Sequence, residues 1–159
     1  MGDTVELVLK DEPGLVVVSI EGDGGKLPLE AEKNTCAVAI QAMLDELGTE
    51  VGMNIYLTKG LPLGSGMGSS AASAVAALAA ANRLLGDPFE KKDLLPFAIA
   101  AEKVACGAGH ADNVAPSLLG GFVLVRDYHP LNVIKLPVPN GLYCTLLHPH
   151  YELKTADSR

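Results

Sequence analysis

The chain has 159 residues, a length that fits one globular domain. Apolar residues occupy 48% of the positions and charged residues 19%, so a core can form and intrinsic disorder is excluded. A net charge of -7 argues against binding to the phosphate backbone of nucleic acids, because such proteins use clustered cations. Only 4% of the residues are aromatic, which argues against binding single strands by base stacking.

The cysteine and hydropathy patterns indicate a reduced protein without a membrane segment. Cys36, Cys106 and Cys144 are odd in number and lack the C-x-x-C spacing of redox and zinc sites, so we expect reduced, mostly buried thiols. No basic segment followed by an apolar run begins at Met1, and the apolar stretch over 71–81 is rich in Ala. The pattern predicts a cytoplasmic protein that does not bind membranes.

The first part of the chain predicts strands around one helix. Two β-branched runs, at 4–9 and 15–20, are separated by polar residues and predict a hairpin. Apolar residues recur at helical spacing over 34–47, and Gly48 follows at the position of a C-cap. Residues 51–58 alternate between apolar and polar positions, which predicts a third strand.

The second part predicts two helices and then more strands. A glycine-rich loop at 63–70 leads into an Ala-rich helix that ends near Leu85, and a second helix over 93–105 has Asp93 as its N-cap. Apolar runs predict strands at 122–126, 132–136 and 142–147. Helices grouped between strands favour an α+β fold, a two-layer arrangement of sheet and helices, over a doubly wound sheet.

The glycine-rich loop has the composition of a phosphate-binding site. Gly64, Gly66 and Gly68 let the backbone curl around an anion, and the following helix offers unpaired N–H groups. Ser69 and Ser70 add hydroxyl groups that can cap the helix, contact a phosphate or bind Mg²⁺. The loop matches neither a Walker A motif nor a dinucleotide-binding motif. A flexible loop with a serine cap is the alternative, and it accounts poorly for three alternating glycines.

Glu102 is a candidate metal ligand because its helical neighbours are apolar. The residues three and four positions away are Ala98, Ile99, Ala105 and Cys106. The carboxylate is therefore predicted on the inward face of its helix, where it needs a partner such as Mg²⁺. The alternative is a surface glutamate that pairs with Lys103.

A third polar cluster lies in the loop after this helix. His110, Asp112 and Asn113 are closely spaced in a connection, where binding residues are common. Such side chains can hold a hydroxylated or amino-acid substrate. The alternative is that the Asx residues only form a turn.

Together these motifs resemble the GHMP kinases, a family of small-molecule kinases. The segment 62–73, Pro-Leu-Gly-Ser-Gly-Met-Gly-Ser-Ser-Ala-Ala-Ser, is similar to the phosphate-binding motif of that family. The segment 110–116, His-Ala-Asp-Asn-Val-Ala-Pro, followed by Leu-Gly-Gly-Phe at 119–122, resembles the homoserine kinase branch. The resemblance implies a fold like domain 2 of ribosomal protein S5. It also implies ATP-dependent phosphorylation of the hydroxyl of L-homoserine, in threonine biosynthesis.

The resemblance implies residues for ATP and Mg²⁺. Those implied in ATP binding are Asn34 and Lys59, at the adenine pocket, and Pro62, Gly64, Ser65, Gly66, Met67, Gly68, Ser69 and Ser70, in the loop. Mg²⁺ is implied at Ser70 and Glu102. The partner implied besides ATP is a small molecule, and a homodimer is a further expectation.

The resemblance also implies residues for L-homoserine. His110, Asp112 and Asn113 are expected to contact it, with Asn113 near the reacting hydroxyl and Asp112 as the candidate if the reaction uses a base. Thr155 and Arg159 match an element whose arginine would bind the substrate carboxylate, because its planar fork fits a carboxylate.

The resemblance covers the N-terminal part of such a kinase. Residues 1–150 are expected to form the ATP-binding domain without its first strand, and 151–159 the start of a C-terminal domain. The first motif of the family and its late glycine-rich motif do not occur in the sequence. We therefore expect a fragment, incomplete at both ends, with little or no kinase activity alone. A mevalonate-type GHMP kinase and a non-catalytic S5-like binding module stay open as alternatives.

Overall fold

The computed structural model describes residues 2–147, with the side chain of Cys106 excepted. These residues form the strands and α-helices β1 (Thr4–Lys10), β2 (Gly14–Glu21), α1 (Thr35–Leu47), β3 (Gly52–Thr58), α2 (Ser69–Leu84), α3 (Leu95–Cys106), α4 (Val114–Leu119), β4 (Phe122–Tyr128) and β5 (Leu131–Leu136). Single turns of 3-10 helix precede α1 and α3, at Ala31–Lys33 and Lys91–Leu94. The α+β prediction is confirmed. Thr155 and Arg159 lie outside the described residues.

β3 is the central strand of a three-stranded sheet in the order β1-β3-β2. Ile55 on β3 pairs with Leu7 on the antiparallel strand β1 and with Val17 on the parallel strand β2. The predicted hairpin of the first two strands is therefore wrong. A parallel pair needs a crossover, and α1 supplies it between β2 and β3. In this central position the inward residues Met53, Ile55 and Leu57 of β3 are fully buried, with at most 2% of each exposed.

Helices cover the inward face of this sheet. α1 packs against β2 and α2 packs against β1, while α3 contacts both of these helices. α1 contributes the large buried side chains of Ile40, Met43 and Leu44. The buried residues of α2 are mostly Ala and Ser, and small side chains allow neighbouring helices to approach closely. None of the helices among residues 2–147 is long and apolar enough to cross a membrane.

The end of the described chain departs from the sequence prediction. β4 and β5 confirm the strands predicted at 122–126 and 132–136, and the two strands pair as an antiparallel hairpin. The strand predicted at 142–147 is wrong, because these residues have no regular structure and Tyr143 is 91% exposed. A strand forms only where another strand offers a hydrogen-bonding edge, and none of the described strands pairs with this segment.

Two local predictions also need correction. Asp93 lies in the 3-10 turn and is not the N-cap of α3, which begins at Leu95 with Pro96 in its first turn. Proline is favoured there because the first N–H groups of a helix have no internal partner. Among the described thiols Cys36 is buried but Cys144 is exposed, so the prediction of mostly buried cysteines holds for the first alone.

Candidate functional site

The glycine-rich loop joins the end of β3 to the start of α2 with left-handed backbone at three positions. The φ angles are 64° at Gly64, 72° at Gly66 and 70° at Gly68. Gly68 directly precedes α2, and a Cβ atom there would lie 3.2 Å from Oδ1 of Asn113. Glycine is favoured at position 68 for both reasons: the φ angle and the close approach of Asn113.

The first turn of α2 presents backbone donors at the loop. The first N–H groups of a helix have no partner inside it, and Gly68 at the N-cap supplies no side-chain hydrogen bond. The nearby serine hydroxyls do not cap the helix; they donate hydrogen bonds to backbone carbonyls of the loop and of the residues before it. Ser69 donates from Oγ to the carbonyl of Leu61 at 3.2 Å, and Ser65 donates to the carbonyl of Pro62 at 2.8 Å. The turn can therefore bind an anion through its unpaired N–H groups and the positive end of a 16-residue helix.

Glu102 lies inside the fold, as its apolar neighbours predict. It is only 3% exposed, whereas Lys103 is exposed, so the alternative of a surface glutamate is wrong. Ser70, in the first turn of α2, donates from Oγ to Oε2 of Glu102 at 3.3 Å. The packing of α3 against α2 thus brings together the two residues predicted as ligands of Mg²⁺.

These two residues fit Mg²⁺ as part of a shared site. A hydroxyl and a carboxylate are hard oxygen ligands, and Mg²⁺ usually binds one or two carboxylates together with phosphate oxygens of the substrate. Within residues 2–147, no group of three or more His, Cys, Asp or Glu side chains could hold a metal ion. A cation at Ser70 and Glu102 would therefore depend on phosphates bound at the neighbouring loop.

In the third predicted cluster, Asn113 lies at the glycine-rich loop, whereas Asp112 lies at the surface. Asn113, at the N-cap of α4, lies against Gly68. Asp112 is exposed and accepts the backbone N–H of Asn113 at Oδ1, at 3.1 Å. His110 is half-buried, and the next backbone N–H, of Ala111, donates to Oη of Tyr128 at 3.0 Å. Sequence reasoning missed this tie, which fixes the cluster to β4.

Asn34 and Lys59, implied at the adenine pocket, are both buried and hold the fold. Asn34 caps α1, since its Oδ1 accepts the N–H of Cys36 at 3.0 Å, and its Nδ2 donates to the carbonyl of Pro28 at 3.0 Å. Nζ of Lys59 donates to the carbonyl of Ser69 at 2.9 Å. Their implied contact with adenine stays a prediction.

Asp3 is the polar residue that sequence reasoning missed. Its carboxylate is buried and accepts hydrogen bonds from the N–H groups of Gly60 and Leu61 and from the side chains of Ser73 and Lys59. Burial raises the pKa of Asp3, but these hydrogen bonds outweigh burial and hold the pKa below its usual value of 3.8. Asp3 is separated from Lys59 by 56 positions, so no local spacing indicates the contact.

Comparison with known proteins identifies the family. Residues 34–121 match the family model described as GHMP kinases N terminal domain. The chain belongs to the GHMP kinase family. The matched segment contains the glycine-rich loop, Glu102 and Asn113, so the family resemblance of the motifs is confirmed.

Individual relatives agree with this family. A homoserine kinase of Chlorobium phaeobacteroides is 51% identical, over 99% of this chain and 52% of its own length. The crystal structure of homoserine kinase from Cytophaga hutchinsonii matches with a TM-score of 0.95 and 58% identity, over 99% of this chain and 50% of that one. The mevalonate kinase of Methanococcus jannaschii has the same fold, with a TM-score of 0.64 and 18% identity over 86% of this chain and 46% of that one. The chain spans about half the length of the homoserine kinases it matches.

Proposed function

We propose that this chain is the nucleotide-binding part of a kinase that phosphorylates the hydroxyl of L-homoserine with ATP. The observation that carries the proposal is the meeting of Ser70, Glu102 and Asn113 at the uncapped start of α2. The identity of 51% to a homoserine kinase over nearly the whole chain supports the substrate. Residues 1–150 would form the ATP-binding domain, and 151–159 would begin the next one.

The phosphates of ATP would lie on the glycine-rich loop. The N–H groups at the start of α2 and the hydroxyl of Ser70 would contact phosphate oxygens, while Gly64, Gly66 and Gly68 allow the backbone to approach them. Pro62, Ser65, Met67 and Ser69 would shape the loop. Ser70 and Glu102 would hold Mg²⁺, which would neutralise charge on the transferred phosphoryl group.

The acceptor would bind beside Asn113. This side chain lies against Gly68, next to the proposed phosphate site, and its amide can orient a hydroxyl for in-line attack. His110 and Asp112 would contact the rest of L-homoserine, and Thr155 and Arg159 would bind its carboxylate. Phosphoryl transfer depends mainly on alignment and charge neutralisation, so the reaction does not require a strong base at Asp112.

The two alternative functions have weaker support. A mevalonate-type kinase is less favoured because the mevalonate kinase of M. jannaschii is 18% identical, against 58% for the homoserine kinase of C. hutchinsonii. A non-catalytic module that binds nucleic acid is less favoured because the net charge is -7. A role in threonine biosynthesis, the cytoplasm as location and a homodimer belong to the same proposal.

A substrate panel tests the function. The longest natural protein that contains this chain is assayed for ADP release from Mg-ATP with L-homoserine, mevalonate and galactose at equal concentrations. We expect the highest kcat/KM with L-homoserine. A preference for either of the other alcohols would overturn the proposed substrate. Absence of Mg-ATP binding in calorimetry, with retained affinity for RNA, would favour the non-catalytic module.

A further inference from the structure

A buried polar cluster lies where the chain leaves β3. It consists of the side chains of Asp3, Lys59 and Ser73 and the backbone N–H groups of Gly60 and Leu61. The side chains of Asp3 and Lys59 are 0% and 1% exposed. Asp3 precedes β1, Lys59 follows β3, and Ser73 lies in the second turn of α2. The glycine-rich loop runs between Lys59 and Ser73, so the cluster contacts both of its ends.

The carboxylate of Asp3 binds both the residues that lead into this loop and the helix that follows it. Oδ1 accepts the N–H groups of Gly60, at 2.9 Å, and Leu61, at 3.0 Å, just before the loop. Oδ2 accepts the hydroxyl of Ser73, at 2.6 Å, and the ammonium group of Lys59. A single carboxylate therefore joins the residues that lead into the loop to the helix that follows it.

Lys59 connects the buried polar cluster to the far end of the loop. Its Nζ donates to the carbonyl of Ser69 at 2.9 Å and to Oγ of Ser73 at 2.7 Å. With the bond to Asp3, three partners engage the three donors of the ammonium group. The contact with Ser69 lies in the first turn of α2, the turn whose N–H groups face the proposed phosphate site.

We propose that Asp3 is a positioning residue for the nucleotide site. Asp3 sets the distance between the two ends of the glycine-rich loop. Asp3 is buried beneath the loop and acts through Gly60, Leu61 and Lys59. The proposal rests on the function proposed above. A buried ion pair is a poor source of stability, because desolvation offsets the attraction between the charges. The position of this carboxylate and ammonium group is therefore better explained by their effect on the geometry of the loop than by a gain in stability.

A matched pair of double variants tests the proposal. In Asp3→Asn/Lys59→Met, the amide oxygen at position 3 can still accept the N–H groups of Gly60 and Leu61, and the amide nitrogen can donate to Ser73. In Asp3→Leu/Lys59→Met, a side chain of similar size leaves these N–H groups without an acceptor. Both variants lack the ammonium group, so a direct contact of Lys59 with the nucleotide would affect both equally.

Two measurements are compared between the variants. Hydrogen exchange over residues 60–70 is measured without nucleotide, and the affinity for Mg-ATP is measured by calorimetry. Because a buried donor without an acceptor destabilises its surroundings, we expect the Leu variant to exchange about ten-fold faster and to bind Mg-ATP about ten-fold more weakly than the Asn variant. Leu44→Ala is the control for general destabilisation, because Leu44 is a residue of α1 that is buried in the hydrophobic core. We expect this variant to leave exchange over 60–70 unchanged.

The outcomes separate this proposal from the function on which it rests. Equal exchange in the two double variants would overturn the positioning role. An unaltered chain that binds no Mg-ATP would overturn the nucleotide site, while the exchange comparison would still decide whether Asp3 holds the loop. If the Leu variant does not fold, Ser73→Ala replaces it. We then expect faster exchange at Gly60 and Leu61 than in the unaltered chain, and unchanged exchange would overturn the proposal.

Discussion

The hydroxyl of Ser70 donates a hydrogen bond of 3.3 Å to Oε2 of Glu102 and so joins the first turn of α2 to α3. The two residues are 32 positions apart in the sequence. Their contact places a buried carboxylate beside the N-terminus of a helix, which carries partial positive charge. An anion and a cation can therefore bind side by side at this point.

Glu102→Gln should weaken binding of Mg-ATP more than binding of ATP alone. The substitution keeps the shape of the side chain but removes the charge that would hold Mg²⁺, and one charge-assisted contact corresponds to about ten-fold in affinity. Calorimetry with and without Mg²⁺ measures the difference. Glu90→Gln is the control, because Glu90 is an exposed carboxylate that pairs with Lys92. An equal loss with and without Mg²⁺ would contradict the assigned role.

Gly68→Ala should impair nucleotide binding more than Gly66→Ala. Both positions have left-handed backbone, where a Cβ atom is unfavourable by about 1–2 kcal/mol. At position 68 the new atom would also lie 3.2 Å from Oδ1 of Asn113, whereas nothing lies within 4 Å at position 66. Urea unfolding and Mg-ATP titration measure stability and affinity. Similar affinities of the two variants would show that the contact with Asn113 is unimportant.

Asp112→Asn should reduce kcat by less than about ten-fold, since phosphoryl transfer needs little proton transfer from the protein. The asparagine oxygen can still accept the N–H of Asn113, so the local turn is kept. Initial rates with L-homoserine are measured on the longest natural protein that contains the chain. A loss of about 100-fold or more, with KM unchanged, would instead identify Asp112 as a general base.

Acid should destabilise the fold in part through Asp3. Burial raises the pKa of this carboxyl, but its hydrogen bonds outweigh burial and hold the pKa below 3.8 in the folded state. Such a group stabilises the fold fully above its unfolded pKa, and this contribution is lost as the pH falls through the lower folded pKa. Among residues 2–147, the charged group that faces Asp3 is Lys59, and the thiol of Cys36 interacts electrostatically with both.

Urea unfolding below about pH 5 measures this loss, with Asp3→Asn/Lys59→Met as the control. The variant keeps the other carboxylates, so we expect its free energy of unfolding to fall less steeply with acid. Parallel curves for the two proteins would contradict the contribution of Asp3.

The two described thiols should differ in reactivity. Burial raises the pKa of the Cys36 thiol from 9.0 to about 12, whereas Cys144 is exposed. The thiolate is the reactive form, so iodoacetamide at about pH 8 should modify Cys144 in the folded protein and Cys36 only after unfolding in urea. Peptide mass spectrometry measures the modification. Equal rates at the two residues in the folded protein would contradict this expectation.

Much of the local structure was predictable because it depends on neighbours in the chain. The helical spacing of apolar residues predicts α1, and the Ala-rich composition after the glycine-rich loop predicts α2. The apolar neighbours of Glu102 predict its burial. The pairing of strands was not predictable in this way. The first two strands look like a hairpin locally, but β3 lies between them, and its inward face is the most buried of the three.

The sequence by itself determined the family, through the glycine-rich loop and the segment around Asn113, because these motifs are contiguous and their chemistry depends on local spacing. Only the tertiary structure decided which side chains meet. The contacts of Ser70 with Glu102 and of Asp3 with Lys59 join residues far apart in the chain. Such contacts arise from the packing of helices and the order of strands, and no local sequence pattern predicts either.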